Sequence, residues 1–485
     1  MKKLSRIAAT AAALIFSFSL VGLFSGCSKS NGSSKVLRVY NWEDYISEGG
    51  DGYVDLIGEF EKEYGVTVEY STFGTNENMY NELKISAAGY DLVCPSDYMI
   101  MKMIAEDMVE PFSDEFLSSG NYSTYVSPYI KDLFAKNGWT NYAAAYMWGT
   151  MGYVYNPETV DKEDLLSWSG IWNSKYDNKS TIKDSVRDSY FLGVAAVYKD
   201  ELNELKAKFA TGELTDKQYN EKITEIMNRT DENTIESVKN SLIDLKQYLY
   251  GFEVDSGKQD MITGKISINF AWSGDAVYSM DEAEDSEVYL NYIIPEECSN
   301  IWFDGWVMPK GANTDLAEKF INFLSRPENA VANMNYIGYT SAVAGDAVYE
   351  EMLDWYSEGE EGDLDENGNA LVKHDLNYFF KGTGDYDDYS IWVSEESLDR
   401  QVAAQYPSGD VLYRSAVMQY FDDKANAAIN EMWEEIKGQP IPIWAYIVIC
   451  VVIAAIVIIA LSFVYKGKRS EPKPKKGYRV LKRGI

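Results

Sequence analysis

Between Val36 and Tyr98, short apolar runs alternate with amphipathic stretches, and this alternation restricts the fold more than any other feature of the chain. Val36–Tyr40 and Val66–Tyr70 are runs of strand-forming residues. Between them, Val54, Ile57, Phe60 and Tyr64 recur at helical spacing over Tyr53–Tyr64, and Gly65 stands where a helix stops. Asn76 is placed to cap a second helix over Glu77–Ala87, which Gly89 ends. Tyr90–Cys94 reads as a third strand, closed by Pro95. Strand–helix–strand–helix–strand predicts an α/β sheet with parallel strands. Such sheets bind ligands beyond their strand ends.

Those strand ends carry aromatic and acidic residues together. Trp42, Glu43, Asp44 and Tyr45 follow the first run, and Ser96, Asp97 and Tyr98 follow the third. Trp272-Ser273-Gly274-Asp275 closes the apolar run Ile266–Trp272, and Trp302 and Asp304 lie within Ile301–Val307. Carboxylates hold ammonium groups by charge-assisted hydrogen bonds. Indole and phenol faces add cation–π attraction of roughly 0.5–2 kcal/mol each. Any one of these tryptophans is equally at home in a core. Together, at corresponding places, the clusters point to one cleft for an organic cation.

Charge and composition narrow the function classes. The net charge is −32. Both ends are basic: residues 1–26 hold Lys2, Lys3 and Arg6 without an acid, and 466–485 hold nine Lys/Arg against Glu471. The body between them is therefore more acidic than the total and repels nucleic acid. His374 is the only histidine, which removes His-based catalysis and His-rich metal sites. No phosphate-cradling glycine loop is present. Asp363–Gly368 begins like a calcium loop, but its twelfth position is His374 rather than a bidentate Glu, so it reads as a turn.

The ends read as membrane signals. A basic start followed by the apolar Ile7–Phe24 is a signal peptide, and Leu23–Cys27 resembles a bacterial lipobox with Cys27 as the lipidated residue. Ser28–Lys35 is a flexible tether. Ile441–Tyr465 is a run of 25 uncharged residues, enough to cross a bilayer, and the basic tail after it belongs in the cytoplasm. Residues 28–440 are then extracytoplasmic. Cys450 lies in the apolar run, and nothing in the sequence pairs Cys94 with Cys298.

Along the rest of the chain, Tyr142–Tyr155 reads as extended and as a crossover between lobes. Asp184–Tyr198 is a helix. Residues 199–230 are a charged, solvent-exposed helical hairpin, Gly345–Tyr413 shows no clear period, and Ala416–Ile436 is the last helix before the apolar run.

Tyr40–Tyr45, Tyr90–Tyr98, Trp272–Asp275 and Ile337-Gly338-Tyr339, taken together and in order, resemble the spermidine/putrescine-binding proteins of bacterial polyamine ABC importers. The resemblance implies a two-lobe periplasmic-binding-protein fold of type II, with a hinge and a central cleft. It implies a non-enzymatic, monomeric protein without cofactor or metal, which binds a polyamine and docks on permease subunits served by a cytoplasmic ATPase. It assigns the cleft to Trp42, Asp44, Tyr45, Ser96, Tyr98, Asp188, Trp272, Asp275, Trp302, Asp304 and Tyr339, with Asp275 gripping an ammonium. Asp184 is a reserve candidate and is better explained as a helix cap. The domain plan is a first lobe over 36–147 and a second over 148–275. Residues 276–345 return to the first lobe, and 346–438 lie on the second. The stretches 199–230 and about 345–400, and the helix at 441–465, depart from the family pattern. Aspartate at 188 leaves the choice of polyamine open. The alternatives are another cationic or small organic solute, or a sensory ectodomain, against which the short basic tail argues.

Overall fold

The computed structural model describes residues 35–438 except Asp51, Ala87 and Ala88. The signal sequence, Cys27, the apolar run 441–465 and the basic tail lie outside the described residues. Among the described residues, no helix is long and apolar enough to cross a membrane.

A connected path of strands runs through Thr67–Phe73, Val36–Trp42, Leu92–Val93, Ser299–Pro309, Ala143–Tyr155, Ile268–Trp272, Ser180–Lys183 and Leu249–Glu253. The flanking pairs are parallel, as the alternating pattern predicts. The middle is antiparallel, because Ser299–Pro309 runs against both Leu92–Val93 and Ala143–Tyr155. All thirteen residues of Ala143–Tyr155 are buried. Its small residues are what allow neighbours on both faces to close over it.

That strand and Ser299–Pro309 tie two lobes together. Met147 and Trp148 belong to the first core, and Met151 and Tyr153 to the second. Cys298 lies in the second core, and Ile301 and Phe303 in the first. The chain therefore passes between lobes near Gly149–Thr150 and again near Ser299–Asn300. This corrects the domain plan. Helix Ser273–Glu284 and strand Asn291–Ile293 stay with the second lobe, where Ala276, Val277, Met280 and Tyr292 form a satellite core.

The acidic insert also divides differently from expectation. It holds helix Asp346–Tyr356 and a hairpin of Val372–Asp375 with Ser390–Val393. Leu376, Phe379, Tyr389 and Ile391 join the first core, whereas Ala416, Phe421 and helix Asp423–Lys437, through Ile429, Met432 and Trp433, join the second. Periodicity shows which face of an element is apolar but not which of two cores receives it. From the first core the insert reaches across to the second lobe. Arg400 pairs with Glu284, and Gln401 donates to Asp281 at 2.9 Å and Glu284 at 2.7 Å.

Smaller differences have local causes. The helix after the first strand starts at Leu56, with Asp55 accepting from Gly58 N–H, because Tyr53–Asp55 pairs with Glu48–Gly50. Thr75, not Asn76, caps the next helix. Lys199–Ala210 and Asp216–Met227 form the expected hairpin, but Leu202, Tyr219, Ile223 and Ile226 bury one face in the second core. Asp363–Gly368 does turn: Gly368 N–H meets the Asp365 carbonyl at 3.0 Å, and the Asp365 carboxylate accepts the N–H groups of Asn367 and Asn369.

Candidate ligand cleft

The candidate site lies where the chain passes between lobes. The pairing of Ser299–Pro309 with Ala143–Tyr155 slips between Asp304 and Gly305, so Tyr146 is the extra residue of a bulge. A bulge re-aims side chains at a strand's midpoint. Tyr146 O–H donates to the Tyr45 carbonyl at 2.6 Å and accepts from Asn333 Nδ2 at 2.7 Å. That fixes the Tyr45 loop, and Tyr45 O–H donates to Asp304 Oδ2 at 2.7 Å. Ser96 pairs with Asp304 in an isolated bridge and lends it a second hydrogen bond.

Burial pushes the Asp304 carboxyl up to about 6; the Tyr45 and Ser96 hydrogen bonds pull the other way, and Asp188 pushes it further up. Asp188 stands in the first turn of helix Val186–Val197, on the second lobe. Burial raises it as well, opposed by Ser185, Lys183, Arg187 and the Trp272 side chain. Two buried carboxylates that raise each other's cost of ionisation are relieved by a cation between them.

Rings wall this region. Tyr339 meets Tyr45 edge-on at 5.5 Å and Trp302 at 5.7 Å. Trp302 packs against both cores and donates Nε1–H to the Thr150 carbonyl at 3.2 Å. Two glycines permit the closeness. A Cβ on Gly274 would stand 2.4 Å from the Tyr339 ring, and one on Gly149 would stand 2.6 Å from Trp302.

Asp275 is buried too, but it is already paired. Lys183 Nζ donates to Asp275 Oδ2 at 2.9 Å, Lys258 Nζ lies 3.4 Å from Oδ1, and Tyr339 O–H donates to Oδ1 at 3.0 Å. Burial works to raise Asp275, yet Lys183 and Lys258 hold it below the ordinary carboxylate value. The structure therefore places Asp275 in a lysine pair, beside the expected residues rather than free among them.

Three other expected residues stand apart. Asp44 is exposed in a turn at φ 50°. Trp42 is half-buried against Phe73 at 4.5 Å. Tyr98 donates to Glu77 at 3.1 Å, and its ring faces the Arg187 guanidinium at 4.9 Å, which makes it a contact between lobes. Asp184 is not a cap: Ser185 caps the helix, and Asp184 accepts from Trp433 at 3.2 Å and Lys437 at 3.1 Å.

Lys183, Tyr146 and Arg187 escaped the sequence reading, and Asp97 entered it as part of the Ser96–Tyr98 cluster without a role of its own. Asp97 is buried, and burial pushes its carboxyl up to about 8 against the pull of a Tyr98 N–H and Arg187. The available signal was charge at an apolar strand's end: Lys183 ends Ser180–Lys183, and Glu253 ends the neighbouring Leu249–Glu253 in register with it. Cys94 and Cys298 are buried and unpaired, one in each main core. Among the described residues no group of three or more His, Cys, Asp or Glu is placed to hold a metal ion.

Comparison with known proteins agrees with the two-lobe fold. A family model described as bacterial extracellular solute-binding protein matches residues 55–352. The spermidine/putrescine-binding periplasmic protein of Escherichia coli (strain K12) is 28% identical over 341 residues, covering 70% of this chain and 84% of that protein. The putrescine-binding periplasmic protein SpuD of Pseudomonas aeruginosa is 27% identical, covering 65% and 80%. Among solved structures, the spermidine/putrescine ABC transporter substrate-binding protein PotD of Streptococcus pneumoniae superposes with a TM-score of 0.57 at 27% identity, over 83% of this chain and 99% of that one.

Proposed function

The chain belongs to the bacterial extracellular solute-binding protein family, and from that premise we propose that it captures polyamines outside the cytoplasmic membrane and delivers them to an ABC permease. The observation that carries the reading is the Tyr45–Asp304 hydrogen bond, with Asp188 of the other lobe in electrostatic reach and Trp302 and Tyr339 as walls. An ammonium between Asp188 and Asp304 offsets their mutual repulsion and bridges the lobes. The rings flank the methylene chain. Closure buries the cation, and the closed form is what the permease recognises. The polyamine-binding relatives support this ligand class. No chemical step is part of this role, and the protein acts as a monomer. The signal peptide directs export, and Cys27, the run at 441–465 or both anchor the binding domain to the outer face of the membrane.

Calorimetric titration of the purified full chain with putrescine and spermidine at moderate salt tests this. Micromolar or tighter binding of either supports it. Binding of neither overturns the polyamine assignment and redirects the search to another small solute.

A further inference from the structure

Arg187 and Asp97 stand on opposite lobes, within electrostatic reach of each other and yet unpaired. Asp97 opens helix Asp97–Ala105 of the first lobe and is only 2% exposed. Arg187 lies in the first turn of helix Val186–Val197 of the second. Burial disfavours the charged form of each, and each charge offsets part of that cost for the other. Asp97 Oδ2 and Arg187 Nη1 are nevertheless buried without a hydrogen-bond partner. Buried polar atoms are nearly always paired, so an acceptor and a donor left open on facing lobes mark a contact still to be made.

The rest of each group is already held. Asp97 Oδ1 accepts the Tyr98 N–H at 2.6 Å. Arg187 Nη2 donates to the Gln419 carbonyl. The guanidinium lies 3.8 Å from the centre of the Phe421 ring, which belongs to the second core, and 4.9 Å from that of Tyr98, which packs on the first. Cation–π contact with both rings seats the cation at the junction of the lobes, with Nη1 free.

The chain ties this pair to the candidate ligand seat. Arg187 immediately precedes Asp188. Asp97 immediately follows Ser96, which gives Asp304 its second hydrogen bond. An ammonium drawn between Asp188 and Asp304 therefore pulls the backbones that carry Arg187 and Asp97 toward each other.

Building on the polyamine reading, we propose that Arg187 and Asp97 are positioning residues that latch the loaded cleft, Nη1–H donating to Oδ2 once the ligand has drawn the lobes together. Neither side chain touches the amine. The latch forms after capture and breaks before release, so it slows dissociation and leaves association alone. It belongs to the loaded form only, as a ligand-linked closing contact must.

The test is a double-mutant cycle on the full chain with Asp97→Ala and Arg187→Met. Putrescine and spermidine are the probes, and stopped-flow tryptophan fluorescence reads their release, with Trp302 as a reporter in the cleft. Each single variant releases amine about tenfold faster, and the double variant no faster than either single one. Association rates stay within about twofold of the natural protein's. Effects on the melting of the amine-free protein are additive, because the latch is not made there. Additive effects on release overturn the proposal. So does coupling of equal size in amine-free melting, which would make the pair an ordinary structural contact. Asp97→Ser and Arg187→Lys, which shorten both side chains, carry the same cycle and the same outcomes where the first pair does not fold. All these outcomes leave polyamine binding intact, whereas binding of neither amine by the natural protein overturns the functional reading on which the proposal rests.

Discussion

Tyr45 and Asp304, 259 residues apart in the chain, meet in a 2.7 Å hydrogen bond inside the cleft. Tyr45 is the donor, so the bond favours the ionised carboxylate, the form that attracts an ammonium. Tyr45→Phe removes the donor and keeps the ring. We expect polyamine affinity to fall by about 1–3 kcal/mol, the range for a buried hydrogen bond to a charged group. Titration of the variant checks this, and an unchanged affinity would show that Asp304 does not hold the ligand.

Binding should strengthen with rising pH. Burial places the Asp304 carboxyl at about 6 rather than its ordinary 3.8. Below about 6 an incoming ammonium meets a neutral acid; above it, a carboxylate. A bound cation favours the ionised form, so complex formation near pH 6 releases a proton. Affinity should climb by at most about tenfold per pH unit below 6 and level off above it. Calorimetry in buffers of different ionisation enthalpy reads the released proton directly, and a flat profile without release would rule the scheme out.

Gly274 sets two effects against each other. An alanine in helix Ser273–Glu284 gains about 1 kcal/mol of helix propensity. Its Cβ, however, would stand 2.4 Å from the Tyr339 ring. Overpacking of that kind costs about 1–3 kcal/mol, so stability changes little while Tyr339 is displaced from Trp302 and Tyr45. We expect Gly274→Ala to melt near the natural temperature and to bind polyamine several-fold more weakly. A melting point raised by the full helix increment with unchanged binding would show that Tyr339 yields without consequence.

The insert's link to the second lobe is partly exposed. Arg400 pairs with Glu284 and lies over Tyr289 at 5.4 Å. Such a pair contributes at most about 1 kcal/mol and weakens with salt. Arg400→Ala should weaken polyamine binding by less than about fivefold, with the difference vanishing at high salt. A larger, salt-independent loss would assign the insert a direct part in closure.

Cys94 and Cys298 lie in separate cores and are unpaired. Burial raises both thiols, so neither forms thiolate readily. Under native conditions, peptide mapping after alkylation should find both unmodified, and reductant should leave the melting temperature unchanged. A Cys94–Cys298 disulfide in the native protein would contradict the packing.

Much of the architecture was legible in the chain because it depends on local spacing. The strand–helix rhythm of 36–98, the extended run Ala143–Tyr155 and the charged hairpin after Tyr198 all follow from side-chain period. The aromatic–acid clusters also pointed to the candidate cleft, since strand ends are where an α/β sheet presents its ligand. Tyr45, Trp302 and Asp304 were found that way, whereas Asp188 and Tyr339 came from the family resemblance alone. The tertiary structure decided the rest, for reasons no local pattern contains. Only packing determines that Asp44 turns outward while Tyr45 turns in, that the acidic insert completes the first core, and that a bulge at Asp304 aims its carboxylate at Tyr45. Only the neighbouring strand ends bring Lys183 onto Asp275, 92 residues away. A carboxylate's role depends on which cation reaches it first, and that is settled by the three-dimensional placement of charges.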